Sequence, residues 1–234
     1  MSDKMQQQLT ARFEDLVADA GPDFDESLTE FFSPEEELTY EITLPSTYEV
    51  KAPAVLAYIS PKAGAAIPSA WTEIFDEYNL AWVGALNSGN DVHVARRVGM
   101  ALLAPTAIQK LYSNISDQFF ISGFSGGGRV ASMMVPNYPD RFDGALYICG
   151  ANPLMGPTEA IVSQLNNISL VFLTGTGDFN LQDTQLARAT YEYAGISSTQ
   201  LMIVNELEHA LPGAPVLREA LTGLMDKQPG QEGP

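Results

Sequence analysis

The sequence is poor in the residues that form disulfides, metal centres and nucleic-acid-binding surfaces. Its 234 residues include one cysteine and two histidines, and 12 lysines and arginines stand against 29 aspartates and glutamates, for a formal net charge of −17. One cysteine excludes an internal disulfide, and three Cys and His residues are too few for the usual metal centres. The scarcity of basic residues argues against nucleic acid as a partner. Cys149 lies in the apolar run ALYICG, so we expect a buried, unreactive thiol.

Long hydrophobic runs are also missing. No segment approaches the ~20 consecutive apolar residues that a membrane-spanning helix needs, and the first residues, MSDKMQQQLT, lack the basic and then apolar layout of a signal peptide. With 45% hydrophobic residues, the chain is expected to be a soluble globular protein without a membrane partner. We expect it in the cytoplasm if residue 1 is the natural start, and the sequence leaves its oligomeric state open.

The acidic charge is concentrated in the first part of the chain. Residues 1–50 hold 13 acidic and two basic residues, which we interpret as a solvated surface rather than as a feature of substrate binding. We predict an acidic N-terminal arm over residues 1–36. Leu9, Phe13, Leu16 and Val17 fall at helical spacing, so one short helix is expected, followed by an irregular segment as far as Pro34.

From residue 37 onward, strand-like and helix-like segments alternate. Seven segments have the pattern of strands: 37–44, 52–60, 80–86, 117–122, 143–150, 169–175 and 200–206. Helical patterns occupy residues 67–79, 92–112, 127–135, 181–194 and 214–226. Pro105 is expected to kink or divide the second helix. We predict one α/β domain over residues 37–226 and a frayed tail over residues 227–234.

This alternation predicts an α/β fold with a mostly parallel sheet covered by helices on both faces. Ligands bind such sheets at the carboxyl ends of the strands. The predicted strands at 143–150 and 169–175 are joined by a short connection, residues 151–168.

The stretch GFSGGG, residues 123–128, follows a predicted strand and opens a predicted helix. A G-x-S-x-G pattern at such a turn is typical of a nucleophile elbow, in which the serine occupies a strained turn and its neighbours must be small. Ser125 is thus the candidate nucleophile, and the backbone N–H of Gly126 would point towards an oxyanion. A phosphate-binding loop does not fit, because it ends in Gly-Lys-Ser/Thr whereas Arg129 is followed by Val130.

A serine hydroxyl needs a base, and the two histidines limit the choice. His209 follows the last predicted strand, whereas His93 lies near the start of a helix and is expected to be a capping or surface residue. Asp178 follows the predicted strand at residues 169–175 and is the candidate acid, while Asp183 is expected to cap a helix. The chain order Ser125, Asp178, His209 is that of nucleophile, acid and base in hydrolases with this elbow.

Three segments carry a resemblance to a known family: SGFSGGGRVASMMVPNYPDRFDGALYICGANP, TGTGDFN and EHALP. They resemble the α/β-hydrolase superfamily, and most closely its small lidless esterases, the group similar to polyhydroxybutyrate depolymerases and feruloyl esterases. The resemblance covers about residues 38–226. It implies an α/β-hydrolase fold without a cap domain, with Ser125 as nucleophile, His209 as general acid–base and Asp178 as the orienting acid. It implies no metal and no organic cofactor.

Esterases of this kind often carry a His-Gly pair whose loop supplies a second oxyanion N–H, and here the corresponding segment reads YISPKAGAA. Pro61 has no N–H, so we expect Lys62 or a neighbour to be that donor. Phe124 precedes the candidate nucleophile, and Asn87 and Asn152 follow predicted strands. These three are candidates for substrate binding, although polar loop residues are an alternative interpretation of the two asparagines.

Together these features predict a serine hydrolase that cleaves small-molecule or oligomeric carboxylic esters through an acyl-enzyme intermediate. A thioesterase, a peptidase or an acyltransferase with the same triad is an alternative, because the mechanism serves any acyl transfer. A non-catalytic binding protein of the same fold is another, since loss of one oxyanion donor slows catalysis by about 10²- to 10³-fold.

Overall fold

The computed structural model describes residues 6–225, and the chain divides after Phe119 into two compact units. The predicted frayed tail at residues 227–234 lies outside the described part. None of the helices within residues 6–225 is long and apolar enough to cross a membrane.

The first unit contains four strands in the order β1-β2-β4-β3. They are β1 (Gln6–Arg12), β2 (Glu37–Thr43), β3 (Ala54–Ile59) and β4 (Leu80–Ala85). The pairs β1–β2 and β2–β4 are antiparallel, and β3–β4 is parallel. The helices are α1 (Phe13–Ala20), α2 (Thr72–Glu77) and α3 (Val94–Leu111).

Helices α2 and α3 cover opposite faces of the first unit's strands. The Tyr40 hydroxyl in β2 donates a hydrogen bond of 2.9 Å to the Met100 carbonyl in α3, and Tyr40 pairs with Ala85 of β4. Since side chains alternate along a strand, Trp82 of β4 points to the other face. There its ring meets Phe75 of α2 edge-on, with centroids 5.5 Å apart.

The second unit contains four parallel strands in the order β5-β6-β7-β8. They are β5 (Phe119–Phe124), β6 (Gly144–Ile148), β7 (Ser169–Gly175) and β8 (Thr199–Val204). The helices are α4 (Gly126–Asn137), α5 (Glu159–Leu165), α6 (Leu181–Tyr193) and α7 (Ala214–Met225).

The strands of the second unit are also covered on both faces. Tyr147 of β6 pairs with Phe172 of β7, and Phe172 packs on Tyr191 of α6 with ring centroids 5.3 Å apart. Gly144 lies three residues before Tyr147 and therefore faces the other side. A Cβ at Gly144 would lie 2.9 Å from the Leu224 side chain of α7, so α7 covers that face.

The predicted fold class is confirmed: a mostly parallel α/β fold with helices on both faces. Each of the seven predicted strands and five predicted helices is present. Among the described residues, the segment between β6 and β7 holds only the seven-residue helix α5, which was not predicted. No cap domain is inserted there, as expected.

The expected start of the first helix is corrected, and so is the expected division of a helix at Pro105. Residues 6–12 form β1, which pairs with β2 along its whole length, and α1 follows directly. Leu9 therefore lies in a strand, whereas Phe13, Leu16 and Val17 lie in the helix. Helix α3 is not divided at Pro105, which is buried within it. The packing of α3 on β3 and β4 stabilises the helix despite the backbone hydrogen bond that proline removes.

Candidate active site

Ser125 occupies a strained turn between β5 and α4. Its backbone has φ 56° and ψ −120°, in the left-handed half of conformational space that residues other than glycine rarely adopt. Its N–H donates to the Ile148 carbonyl of β6 at 2.8 Å, and its own carbonyl accepts from the Arg129 N–H at 3.1 Å. These two hydrogen bonds hold the turn, and the serine side chain projects from it.

The glycines around Ser125 allow three pieces of backbone to pass close together. A Cβ at Gly123 would overlap the Gly127 carbonyl, and a Cβ at Gly150 would overlap the Ser125 carbonyl. Gly128 lies inside α4, where alanine is normally more stable. A Cβ there would overlap the Gly150 carbonyl oxygen. The helix can therefore approach β6 closely only with glycine at this position.

The three residues predicted to form a triad meet in space. His209 Nε2 lies 2.8 Å from Ser125 Oγ, and His209 Nδ1 lies 2.8 Å from Asp178 Oδ1. The Asp178 side chain is fully buried, whereas the His209 side chain is 20% exposed. The acid is thus shielded from water, and the imidazole is accessible beside the serine.

Asp178 is held by hydrogen bonds to both of its carboxylate oxygens. Thr174 Oγ1 donates to Oδ2 at 2.8 Å, and the Asn180 N–H donates to Oδ1 at 2.9 Å. Burial alone would raise the pKa of Asp178. The hydrogen bonds from Asn180, from Thr174 and then from His209 outweigh burial and lower that pKa below its usual value. Asp178 is therefore ionised at neutral pH.

The loop that carries His209 is fixed to the loop that carries Asp178. The Gly177 N–H donates to the Leu207 carbonyl at 3.0 Å, and the Glu206 N–H donates to Thr176 Oγ1 at 2.8 Å. A Cβ at Gly175 would overlap the Leu207 carbonyl oxygen. The loop after β7 and the loop after β8 therefore approach each other closely, which places Asp178 and His209 within hydrogen-bonding distance.

Cys149 lies beside the acid and the base. It is buried, as expected, and its thiol donates to the Ala210 carbonyl at 3.5 Å. Its sulfur and the ligand atoms of Asp178 and His209 all lie within 4.8 Å of one another. Burial, reinforced by Asp178, strongly raises the pKa of the Cys149 thiol. The Asp178 carboxylate also accepts hydrogen bonds from Thr174 and the Asn180 N–H, and His209 Nε2 faces Ser125 Oγ, so these neighbours of Cys149 have partners within the protein.

Two phenyl rings border the imidazole. The ring centroid of Phe124 lies 4.9 Å from that of His209, and the centroid of Phe179 lies 4.0 Å from it. Phe124 is one of the predicted substrate-binding residues, whereas Phe179 was not predicted. The available signal was its position directly after Asp178, at the end of a strand where ligands bind.

Asn152 and Asp183 both contact Arg129. The Arg129 guanidinium donates to Asn152 Oδ1 at 3.4 Å, and Asn152 Nδ2 donates back to the Arg129 carbonyl at 3.1 Å. The role of Asn152 in substrate binding stays a prediction. Asp183 forms a 2.7 Å ion pair with Arg129 and lies in the first turn of α6, whose N-cap is Asn180. The expectation that Asp183 caps the helix is therefore wrong.

Lys62 and Asn87 lie in the first unit, in two loops that contact each other. The Lys62 N–H donates to Ser60 Oγ at 3.0 Å, and the Asn87 N–H donates to the Ala63 carbonyl at 2.7 Å. Asn87 has a left-handed backbone with φ 54°, which asparagine tolerates better than most residues. The oxyanion role of Lys62 and the substrate-binding role of Asn87 stay predictions.

His93, the second histidine, caps a helix, as expected. It is the N-cap residue of α3, and its Nδ1 accepts a hydrogen bond from the Ala95 N–H at 3.3 Å. Its ring stacks on Phe31 with centroids 4.9 Å apart.

No protein-family model and no curated protein sequence matches this chain. Solved structures do match it. A ferulic acid esterase matches with a TM-score of 0.62 and 15% identity over 94% of this chain and 96% of its own. The S-formylglutathione hydrolase FrmB from Staphylococcus aureus matches with a TM-score of 0.64 and 14% identity over 94% of this chain and 96% of its own. An acylaminoacyl peptidase from Pyrococcus horikoshii matches with a TM-score of 0.61 and 11% identity over 96% of this chain and 40% of its own. At these identities the likeness establishes the architecture: the chain has the α/β-hydrolase fold.

Proposed function

We propose that the protein is a serine hydrolase that cleaves small-molecule or oligomeric carboxylic esters through an acyl-enzyme intermediate. Ser125 is the nucleophile, His209 the general acid–base, and Asp178 the residue that orients His209. The observation that carries this proposal is the continuous pair of 2.8 Å contacts that runs from Ser125 Oγ through the imidazole to the Asp178 carboxylate. Nucleophile, base and orienting acid within hydrogen-bonding distance are what acyl transfer requires.

In the first step Ser125 Oγ bonds to the carbonyl carbon of the ester, and its proton passes to His209 Nε2. The electron pair of the carbonyl π bond moves to the oxygen, which becomes an oxyanion. The Asp178 carboxylate accepts the Nδ1–H hydrogen bond and stabilises the imidazolium that forms. The lowered pKa of Asp178 supports this role, because only the ionised carboxylate offsets the imidazolium charge.

The oxyanion forms next to the N-terminus of α4, which begins at Gly126. The first N–H groups of a helix have no partner within it, and the helix dipole favours negative charge at that end. The Gly126 N–H is therefore our proposed first donor to the oxyanion. Donors of this kind act on charge that exists only in the transition state and intermediate, so they lower the barrier.

The tetrahedral intermediate collapses when His209 gives its proton to the oxygen of the leaving alcohol. The carbon–oxygen bond breaks, the alcohol departs, and the acyl group stays on Ser125. Water then bonds to the acyl carbon while His209 accepts a proton from that water. The bond between the acyl carbon and Ser125 Oγ breaks, and His209 returns the proton to Oγ. The products are a carboxylic acid and an alcohol, and the enzyme is regenerated.

Hydrolysis of p-nitrophenyl acetate tests the proposal. Ser125→Ala should lower kcat/KM by about 10⁴-fold or more, and Ser197→Ala, at an exposed serine before β8, should leave it unchanged. A chelator should also leave the rate unchanged, because no step uses a metal. Equal activity of Ser125→Ala and the wild-type protein would refute the assignment. An S-phenyl thioacetate and a p-nitroanilide assayed alongside separate an esterase from a thioesterase or a peptidase.

A further inference from the structure

Phe179 is an exposed aromatic residue at the candidate active site. It lies in the turn between β7 and α6, directly after Asp178, and is 77% exposed. Its ring centroid is 4.0 Å from that of His209, with a tilt of 32° between the rings. A large apolar side chain left in water beside reactive groups is typical of a binding surface.

Phe124 extends this apolar surface from another strand. It ends β5, directly before Ser125, and is only partly buried. Its ring centroid lies 4.9 Å from that of His209, at a tilt of 36°. The imidazole is thus bordered by one phenyl ring at the end of β5 and one in the turn after β7, and the His209 side chain is 20% exposed beside them.

We propose that Phe179, together with Phe124, forms the subsite for the alcohol part of the substrate, and that the enzyme selects esters of aromatic or flat apolar alcohols. This inference rests on the function proposed above. Aromatic groups gain favourable offset or edge-to-face contacts from such rings beyond the effect of buried area.

The chemistry of the intermediate decides which part of the ester meets these rings. The tetrahedral carbon carries Ser125 Oγ, the oxyanion, the acyl chain and the alcohol oxygen. His209 Nε2 lies 2.8 Å from Ser125 Oγ and must also reach the alcohol oxygen in order to protonate it. The oxyanion lies towards the Gly126 N–H, and the acyl chain takes the remaining direction. The alcohol is therefore the part next to the imidazole and its two phenyl rings.

Charge favours a neutral alcohol. Glu206 and Glu208 are exposed in the loop that carries His209, and the nearby Arg129 is already paired with Asp183. An anionic alcohol would meet like charge in this loop without a free cation among these residues. The subsite thus fits an uncharged ring system.

Two substrate series test this inference. The first keeps the acetyl group and varies the alcohol: ethyl, phenyl and 1-naphthyl acetate. The second keeps ethanol and varies the acid: ethyl acetate and ethyl benzoate. Phe179→Ala should lower kcat/KM for the two aryl acetates about fivefold and change both ethyl esters less than twofold. Phe179→Tyr keeps the ring and should retain wild-type selectivity. The matched control is Tyr193→Ala, which removes an aromatic side chain that is 96% exposed on α6.

The rate of deacylation distinguishes two roles of Phe179: binding the alcohol part of the substrate, or only supporting the position of His209. Every acetate ester gives the same acetyl-enzyme, from which the alcohol has already departed. Its hydrolysis, followed in a single turnover, should be unchanged by Phe179→Ala. If deacylation slows as much as acylation, or if both ethyl esters lose activity equally with the aryl acetates, the subsite is refuted while the triad stands. If the wild-type protein cleaves none of the esters, the proposed function fails as well.

Discussion

The two histidines occupy similar places in the two units and differ in what their Nδ1 atoms meet. Each follows a strand and each lies beside phenylalanine: His93 stacks on Phe31, and His209 has tilted contacts with Phe124 and Phe179. His93 Nδ1 accepts a hydrogen bond from a backbone N–H, whereas His209 Nδ1 faces the Asp178 carboxylate.

This difference fixes the tautomer of each neutral ring. An N–H donor requires Nδ1 of His93 to carry a lone pair, so the proton of that ring is on Nε2. A carboxylate requires Nδ1 of His209 to carry the proton, so Nε2 has the lone pair and faces Ser125 Oγ. Only the second arrangement yields a base next to a nucleophile. The partner of Nδ1 therefore distinguishes a capping histidine from one whose Nε2 can accept a proton from a serine.

Removal of each histidine gives the largest expected contrast. His209→Ala should lower kcat/KM for p-nitrophenyl acetate by about 10⁴-fold or more, because the base and the proton donor are both lost. His93→Ala should keep wild-type activity and lose about 1 kcal/mol of unfolding free energy through the missing helix cap. Steady-state kinetics and urea unfolding of both variants measure this contrast, and an equal loss of activity in the two would contradict it.

Asp178→Asn removes the negative charge that faces His209. Asp178 Oδ1 accepts a hydrogen bond from the Asn180 N–H and also faces His209 Nδ1, so the amide oxygen takes this position and the imidazolium loses its counter-charge. We expect kcat to fall by about 10³- to 10⁴-fold, with the unfolding free energy changed far less than the activity. Near-normal kcat in this variant would show that the charge of Asp178 does not support His209.

Thr174→Val tests how Asp178, the carboxylate that faces His209, is held in its ionised form. Loss of the hydroxyl removes one hydrogen bond to a buried carboxylate and should lower the unfolding free energy by about 2 kcal/mol at pH 7. The pKa of Asp178 is lowered in the folded state. Its stabilisation is therefore complete above its unfolded pKa of about 3.9 and is lost as pH falls through the lower folded value.

The difference between Thr174→Val and the wild-type protein should accordingly shrink between pH 7 and pH 3 in urea unfolding. Thr174→Ser keeps the hydroxyl and is the matched control, which should follow the wild-type pH dependence. A difference of the same size at both pH values would assign the effect of Thr174→Val to packing alone.

The fold could be predicted wherever local pattern and tertiary context agree. β6 and β7 are buried along their whole length and are largely apolar in sequence, as strands buried on both faces require. β1 could not be found in this way, because QQQLTAR has little apolar pattern and its conformation depends on pairing with β2. Helix α5 is only seven residues long, and so short a segment carries little periodicity.

At the site, the elbow around Ser125 and the order of Ser125, Asp178 and His209 along the chain could be predicted, because the chemistry requires these residue types. The need for Gly128 could be stated only as a general expectation of close packing, since the Gly150 carbonyl that it faces comes from a distant strand. The position of Phe179 directly after Asp178 was a signal in the sequence, but its exposure could not be predicted, because phenylalanine is usually buried. Its exposure beside His209 depends on how two loops meet.

Labelling with a fluorophosphonate tests the central claim most directly, because the probe reacts covalently with an activated serine. The account predicts that the wild-type protein gains one phosphonyl group, that peptide mapping finds it on Ser125, and that Ser125→Ala and His209→Ala are not labelled while His93→Ala is. Labelling that persists in Ser125→Ala, or a wild-type protein that is not labelled at all, would contradict it.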